Sequence, residues 1–221
     1  MKKTLTALLL FVSSLVAMDP ENFKPFVKKY PHFFGLENAT EQQITNATYG
    51  NFYESCLVHF PDSLTQPNMK ETAIEPAHFY FLRLMELFGG KYIIGDAYRS
   101  FELQKELFRK SKRKYEDKRV NFMQANPYLT VSDHQQGIGI DICFADGTYI
   151  DAKAKKEIQE AIDTHRFPIT FPYHWEAWHA RLDFKRFNEE TYLKEKHGIE
   201  EYYLQAGLAY PNCSQSTSIS H

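Results

Sequence analysis

Two stretches of alternating apolar and small or polar residues constrain the fold of this chain more than any other feature. In residues 137–144 every second residue is isoleucine or phenylalanine, and glycines, Asp141 and a cysteine stand between them. In residues 178–184 apolar residues alternate with His179, Arg181 and an aspartate. A period of two is typical of β-strands with one buried face. We therefore predict two half-buried strands whose non-core faces carry Asp141 and His179.

Helical segments surround these strands. Ser100 is predicted to cap the helix over 101–118, which has Leu103, Leu107 and Phe108 on its apolar side. Tyr92 and its isoleucine neighbours predict a further strand. The predicted elements are helices over 76–88, 101–118, 151–165 and 189–206 and a strand over 91–97.

The 221 residues are enough for one domain with a hydrophobic core. Residues 1–18 are interpreted as a signal peptide, with two lysines, an apolar run and Ala17 near the cleavage point; an uncleaved anchor is the alternative. Residues 19–75 are rich in aromatic residues and prolines, and we predict an irregular extension without chemistry, packed on the domain. The domain itself is placed at 76–206, with a polar tail over 207–221.

Composition excludes some functions. A formal net charge of −2 gives no bulk electrostatic reason to bind nucleic acid, and after the leader no segment is long and apolar enough to cross a membrane. The three cysteines are Cys56, Cys143 and Cys213, and no CxxC pair predicts a thiolate metal site. We expect Cys143 to be a buried filler despite lying two residues after Asp141, and a disulfide between the other two is unsupported.

Four residues have the chemistry of a hydrolytic metal site. Catalytic zinc needs about three nitrogen or oxygen ligands and an open position, which His134, Asp141 and His179 could supply. Asp141 and His134 differ by an odd number, so His134 is predicted in the loop entering the strand. Glu176 differs from His179 by an odd number as well. It is therefore predicted in the bend before its strand, off the metal, where a general base belongs.

These residues form the pattern SxHxxGxxxD followed by ExxH, which resembles the zinc D-Ala-D-Ala peptidases of the VanX and VanY kind. The resemblance extends from about Gly95 to Phe184 and includes a strand followed by Tyr98-Arg99-Ser100 and then Gln104. It implies an α+β fold of the Hedgehog/DD-peptidase type, in which a small antiparallel sheet is flanked by helices. After the last ligand this chain has Ala180-Arg181, a departure expected to place an extra positive charge near the site.

The resemblance also implies roles for individual residues. His134, Asp141 and His179 would hold one zinc ion, and Glu176 would be the catalytic base. Arg99 would stabilise the tetrahedral intermediate, while Ser132 and Gln104 would contact the substrate. The leader predicts an exported protein, periplasmic or secreted, and we expect a monomer. It would act on peptidoglycan stem peptides as a D,D-carboxypeptidase that removes terminal D-Ala.

Other functions stay open at this point. Loop lengths around the pocket decide between a carboxypeptidase, a D-Ala-D-Ala dipeptidase and a stem-peptide endopeptidase, and one sequence does not reveal them. A non-catalytic, zinc-stabilised binding module is the alternative from another class. The presence of both Glu176 and Arg99 argues against it, because a structural zinc needs neither residue. The basic helix over 101–118 is interpreted as a solvated face, with contact to an anionic cell-wall polymer as the alternative.

Overall fold

A computed structural model describes residues 20–118 and 131–206 of the chain, with only the backbone for 111–118. The leader predicted for residues 1–18, the tail over 207–221 and Cys213 lie outside these ranges. No helix within the described ranges combines the length and the apolar character needed to cross a membrane.

The segment predicted to be irregular contains regular elements. Helix α1 spans Pro20–Lys29 and helix α2 spans Glu41–Thr48. Strands β1 (Leu57–His59) and β2 (Thr72–Ile74) pair antiparallel. The prediction was wrong because prolines were taken as breaks in regular structure. Pro20 stands in the first turn of α1, where its missing N–H needs no partner, and Pro25 lies inside the same helix.

Helix α1 contributes directly to the hydrophobic core. Phe23 and Phe26 are buried, and their rings lie 5.7 Å and 6.0 Å from the ring of Phe184, beyond the last strand. Phe26 also meets Phe187 edge to face at 5.6 Å. Aromatic pairs at such distances add to the free energy gained from burying their area. Helix α1 and the residues that follow the last strand therefore share one core.

The remaining elements follow the predicted ones within a few residues, except the two-residue strand over Ile169–Thr170, which was not predicted. Asp151 caps one of these helices by accepting a hydrogen bond from the Ala154 N–H at 2.8 Å. The elements are α3 (Glu75–Glu86), β3 (Tyr92–Asp96), α4 (Phe101–Lys118), β4 (Gly139–Phe144), α5 (Ala152–His165), β5 (Ile169–Thr170), β6 (His179–Leu182) and α6 (Glu189–Gln205).

The main sheet places three polar residues in one row. Its strands run in the order β3-β4-β6-β5, and all neighbouring pairs are antiparallel. Asp141 on β4 lies opposite Asp96 on one side and His179 on the other. The register shifts between Ile94 and Asp96, which brings Asp96 into this row. The predicted α+β fold with a small antiparallel sheet among helices is confirmed.

Strand β4 is buried on both faces, so the prediction of a half-buried strand was wrong. Asp141 and Cys143, on the non-core face, are as inaccessible as the isoleucines. The reason is close backbone approach: a Cβ at Gly139 would lie 2.7 Å from the Cβ of Asp133, and a Cβ at Gly95 would lie 2.4 Å from the Cys143 Sγ. The glycines thus admit a covering turn and a neighbouring side chain.

Helix α4 packs on the protein through a different face from the one that its apolar residues predicted. Leu103 is 45% exposed, whereas Gln104 is fully buried and Leu107 and Phe108 are half-buried. Ser100 does act at the start of the helix, where its Oγ accepts a hydrogen bond from the Leu103 N–H at 3.3 Å. The prediction for Leu103 was wrong because the helix packs on a polar partner, Arg99, through Gln104.

Candidate metal centre and active site

His134 is carried by a tight turn that enters β4. The Gly137 N–H donates to the His134 carbonyl at 3.0 Å, and the Gly139 N–H donates to the Asp133 carbonyl at the same distance. Gly137 has φ of 68°, a left-handed conformation that glycine adopts without steric cost. The turn folds back over the strand because of this residue, which places His134 beside Asp141.

His134, Asp141 and His179 offer ligand atoms that all lie within 4.8 Å of one another. His134 Nε2 is 3.2 Å and His179 Nδ1 is 3.0 Å from the same oxygen, Asp141 Oδ1. The three side chains are buried. Two imidazoles and one carboxylate are a donor set that suits zinc and leaves room for a fourth ligand.

Hydrogen bonds on the far side of each imidazole define which nitrogen faces the cluster. The Nδ1 of His134 is 2.6 Å from the Ala97 carbonyl oxygen, which only accepts, so Nδ1 carries the proton. Nε2 of His179 lies 3.0 Å from Asp133 Oδ2. His134 Nε2 and His179 Nδ1 therefore both face one point, next to Asp141.

The electrostatics of this point favour a cation. Burial opposes ionisation of Asp141, yet the charges of His134 and His179 hold its pKa well below the ordinary value. Burial also disfavours a charged His179, but Asp133 and Asp141 on its two sides raise its pKa to about 9. Two carboxylates flanking one buried imidazole attract positive charge, which a metal ion would supply.

Arg99 is fixed beside the cluster by two carboxylates. Its Nε donates to Asp96 Oδ2 at 2.7 Å, and its Nη2 contacts both Asp96 Oδ2 and, at 3.4 Å, Asp141 Oδ2. Gln104 Oε1 accepts from Nη1 at 3.4 Å. The guanidinium is thus oriented by the row of acidic residues across β3 and β4 and by helix α4.

Glu176 lies in the loop between β5 and β6, as its odd separation from His179 predicted. Burial raises the pKa of its half-buried carboxyl, and the charges of His179, His134 and Arg99 oppose the rise. Within the described residues no donor hydrogen-bonds this carboxylate. The carboxylate therefore lies in the field of the cluster, where His179, His134 and Arg99 act on its charge.

The two predicted substrate-contacting residues have different surroundings. Ser132 Oγ accepts from the Gln135 N–H at 3.2 Å and so stabilises the turn that carries His134. Gln104 is fully buried behind Arg99. The structure brings both close to proposed site residues, and their contact with a substrate stays a prediction.

Asp133 is a residue of the site that the sequence analysis missed. Its side chain is fully buried, and it accepts from His179 Nε2 through Oδ2 and from Arg181 Nη1, at 3.1 Å, through Oδ1. Tyr173 Oη adds a longer contact of 3.5 Å. The charge expected from Arg181 near the site is therefore balanced by Asp133. Its place in the sequence, directly before His134, was the available signal.

Glu71 is the second missed residue, and it belongs to the segment in which no chemistry was expected. Its Oε2 accepts from the Ala97 N–H at 2.6 Å, and Ala97 in turn accepts from His134. Burial and the charge of Asp96 raise the pKa of Glu71 to about 7. No periodic signal marks this residue, because its role arises from a contact between segments distant in sequence.

Cys143 is the buried filler that was predicted, and aromatic residues before and at the start of β6 pack near the site. Cys143 is buried against Gly95, accepts a weak contact from Gln66 Nε2 at 3.6 Å, and is not among the clustered donor residues. Tyr173 stacks on His179 at 5.3 Å and on the exposed Trp175 at 5.5 Å. Trp178 is half-buried and faces Tyr149 at 5.1 Å. Among these rings, Tyr173 is the one that contacts a residue of the cluster.

Comparison with solved structures returned peptidoglycan peptidases with low similarity. VanYB in complex with D-Alanine-D-Alanine is 20% identical, with a TM-score of 0.45 over 66% of this chain and 86% of that one. A VanY mutant in complex with Zn(II) is 24% identical, with a TM-score of 0.40 over 62% and 86%. The LdcB LD-carboxypeptidase is 19% identical, with a TM-score of 0.46 over 72% and 77%. No curated protein matches the chain.

The family assignment depends on a different comparison. The family model described as VanY, D-alanyl-D-alanine carboxypeptidase, matches residues 67–183, which is more than half of the chain. The match begins before β2 and ends just after β6, so it includes the row across the sheet, the turn with His134 and the loop with Glu176. The chain belongs to the VanY family of D-alanyl-D-alanine carboxypeptidases.

Proposed function

We propose that this protein is a zinc-dependent D,D-carboxypeptidase that removes the terminal D-Ala from peptidoglycan stem peptides. The observation that carries the proposal is the convergence of His134 Nε2, His179 Nδ1 and the Asp141 carboxylate on one buried point. Membership of the VanY family supports the reaction class. Arg99 and Glu176 beside the same point supply the two other groups that the reaction needs.

The residues present fit one zinc ion. Two neutral imidazoles and one carboxylate leave a bound Zn²⁺ with net positive charge, and the far nitrogens of both imidazoles already have acceptors. Zinc held there would acidify an attacking water and polarise the scissile carbonyl. His134, Asp141 and His179 are the proposed ligands.

Glu176 is the proposed proton shuttle. Its carboxylate is half-buried and has no hydrogen-bond donor within the described ranges, so it is available to accept a proton from the attacking water. Burial raises its pKa, which makes it a stronger base than a solvated carboxylate. The same oxygen then delivers the proton to the leaving amine of D-Ala.

Arg99 is proposed to stabilise the negative charge that develops on the scissile carbonyl oxygen. Asp96 fixes its guanidinium before substrate arrives, so little reorganisation is needed in the transition state. Donors of this kind contribute about 3–4 kcal/mol to the lowering of a hydrolytic barrier. Ser132 and Gln104, next to His134 and Arg99, are proposed to contact the stem peptide.

The cellular setting is part of the same proposal. Peptidoglycan stem peptides lie outside the cytoplasm, which agrees with the signal peptide interpreted for residues 1–18. We therefore propose an exported protein, periplasmic or secreted, that acts as a monomer.

The basic residues of helix α4 are partly neutralised, since Lys105 pairs with Glu102 at 3.0 Å and Lys110 with Glu106 at 2.6 Å.

Hydrolysis of defined stem peptides tests the proposal. Purified protein is incubated with a muropeptide ending in D-Ala-D-Ala, and the products are identified by mass spectrometry. We expect release of a single D-Ala, its loss on treatment with a chelator, and its return on adding zinc. Release of the dipeptide D-Ala-D-Ala or an internal cut would replace the carboxypeptidase with a dipeptidase or an endopeptidase. No cleavage by zinc-loaded protein would favour a binding module.

A further inference from the structure

Asp133 contacts three segments of the proposed site, although it is fully buried and is not a proposed metal ligand. It precedes His134 in the turn, accepts from His179 Nε2 at 3.0 Å, and pairs with Arg181 at 3.1 Å. Tyr173 Oη, from the loop that carries Glu176, lies 3.5 Å from the same oxygen that His179 contacts. One buried carboxylate therefore joins the turn, strand β6 and the catalytic loop.

We infer that Asp133 is a positioning residue that fixes His179 with Nδ1 as its metal-binding atom. This inference rests on the proposed zinc site. Both nitrogens of His179 lie 3.0 Å from a carboxylate oxygen, Nδ1 from Asp141 and Nε2 from Asp133. A neutral imidazole has one N–H and one lone pair, so with zinc in the cluster the proton would lie at Nε2, where Asp133 accepts it, and the lone pair at Nδ1 would face the metal. Asp133 also restrains rotation of the ring, which lies between it and Asp141.

The other contacts of Asp133 have complementary effects. Arg181 neutralises a carboxylate that is fully buried and would otherwise carry uncompensated charge. Tyr173 stacks on the His179 ring at 5.3 Å with an interplanar angle of 30°, so it limits tilting of that ring. His134 has only a backbone carbonyl in the equivalent position. The two imidazoles are thus held by acceptors of different strength.

Glycine at position 139 makes this arrangement possible. A Cβ there would lie 2.7 Å from the Asp133 Cβ and 3.0 Å from its carbonyl carbon. Any larger residue would lift the turn from β4 and move the Asp133 carboxylate away from His179. Strand β4, which carries Asp141, therefore also determines the position of Asp133 through Gly139.

Zinc affinity tests the inference. We compare the full chain with Asp133→Ala and Asp133→Asn by competition for zinc with a chromogenic chelator, and record the visible spectrum of the cobalt-substituted proteins. Loss of an outer partner of this kind weakens metal binding about 10–100-fold. We expect the loss of zinc affinity in the alanine variant to lie near the upper end of this range. The asparagine variant should lose less affinity, because its amide oxygen still accepts from Nε2. The cobalt spectrum should change in both.

Two controls separate positioning from general stability. Asp163→Asn alters an exposed aspartate of α5, and Ile158→Val lowers stability from a fully buried site in the same helix. Both should bind zinc as the parent does. The inference is overturned if both Asp133 variants keep zinc affinity within about twofold and an unchanged cobalt spectrum, or if Ile158→Val loses as much affinity. If Asp133→Ala does not fold, the asparagine variant decides. Failure of the parent protein itself to bind zinc would instead refute the proposed function.

Discussion

Asp141 and His179 lie directly opposite each other on neighbouring antiparallel strands, with the His179 Nδ1 3.0 Å from the Asp141 Oδ1. The sheet register places these two residues side by side, so two of the three proposed ligands are carried by neighbouring strands of the sheet. Only His134 depends on a turn, and that turn is stabilised by hydrogen bonds from Gly137 and Gly139.

The first prediction concerns the ligands. His179→Ala should remove most of the zinc, because the remaining imidazole and carboxylate leave an incomplete coordination shell. His174→Ala is a matched control, since His174 is exposed in the same region and outside the donor cluster. Zinc per chain is measured by atomic emission after dialysis. Stoichiometric zinc with full activity in His179→Ala would show that the ion lies elsewhere.

Arg99→Lys should retain zinc and lose turnover. Lysine keeps the positive charge but lacks the planar fork that contacts Asp96 through two nitrogens and reaches Asp141. We expect kcat to fall about 100-fold or more, in the range for losing an oxyanion donor. Arg83→Lys, which alters a distant pair with Glu195, is the control and should retain full turnover. A kcat in Arg99→Lys equal to that of the parent would remove Arg99 from the mechanism.

Glu71 predicts a pH-dependent stability. Its pKa is raised to about 7 in the folded chain, so the folded state holds the proton more tightly than the unfolded state does. The free energy of unfolding therefore falls as the pH rises from about 4.5 to 7 and then levels off. Glu71→Gln lacks this effect, so its stability relative to the parent should rise by up to about 3 kcal/mol between pH 5 and pH 8.

Urea denaturation at the two pH values measures this difference, with both proteins in the same chelator so that zinc does not contribute. Glu157→Gln, in an exposed pair with Lys91, serves as the comparison and should show no comparable rise. A constant difference between Glu71→Gln and the parent across this range would mean that Glu71 is ionised as an ordinary carboxylate.

The aromatic residues before α2 predict a stability effect in the segment that was expected to be an irregular extension. Phe34 is fully buried and meets the rings of Phe23 and Phe26 edge to face. Phe34→Ala should cost about 3–5 kcal/mol of unfolding free energy, the usual range for emptying such a site. Leu204→Ala removes an apolar residue that is 80% exposed and should change stability by less than about 0.5 kcal/mol. Equal stabilities for the two variants would show that residues near Phe34 are not part of the core.

The strands, the loop positions of two site residues and the helix starts were predictable from neighbouring residues in the sequence. The alternation around Ile140 and Ala180 identified β4 and β6, and the parity of residue numbers placed His134 and Glu176 outside the strands. The capping residues Ser100 and Asp151 marked helix starts because their side chains satisfy free backbone N–H groups. Family membership then agreed with the pattern of histidines and acidic residues.

Long-range contacts were beyond this kind of prediction. Glu71 reaches the site through Ala97, which is 26 residues further along the chain, and nothing in its neighbourhood signals that contact. Leu103 was assigned to the core because it is apolar, whereas the site requires Gln104 to face inward next to Arg99. Burial of Asp133 depends on how closely the turn approaches Gly139, a distance that only the assembled sheet defines.

The most direct test of the account separates metal binding from catalysis at Glu176. Glu176→Gln preserves size and hydrogen bonding but cannot accept the proton from water. Zinc content and hydrolysis of a peptide ending in D-Ala-D-Ala are measured on the same preparation, alongside Glu190→Gln, an exposed glutamate of α6. The account predicts one zinc per chain in both variants, and at least about a hundredfold loss of turnover in Glu176→Gln alone. Loss of zinc in Glu176→Gln, or undiminished hydrolysis, would contradict it.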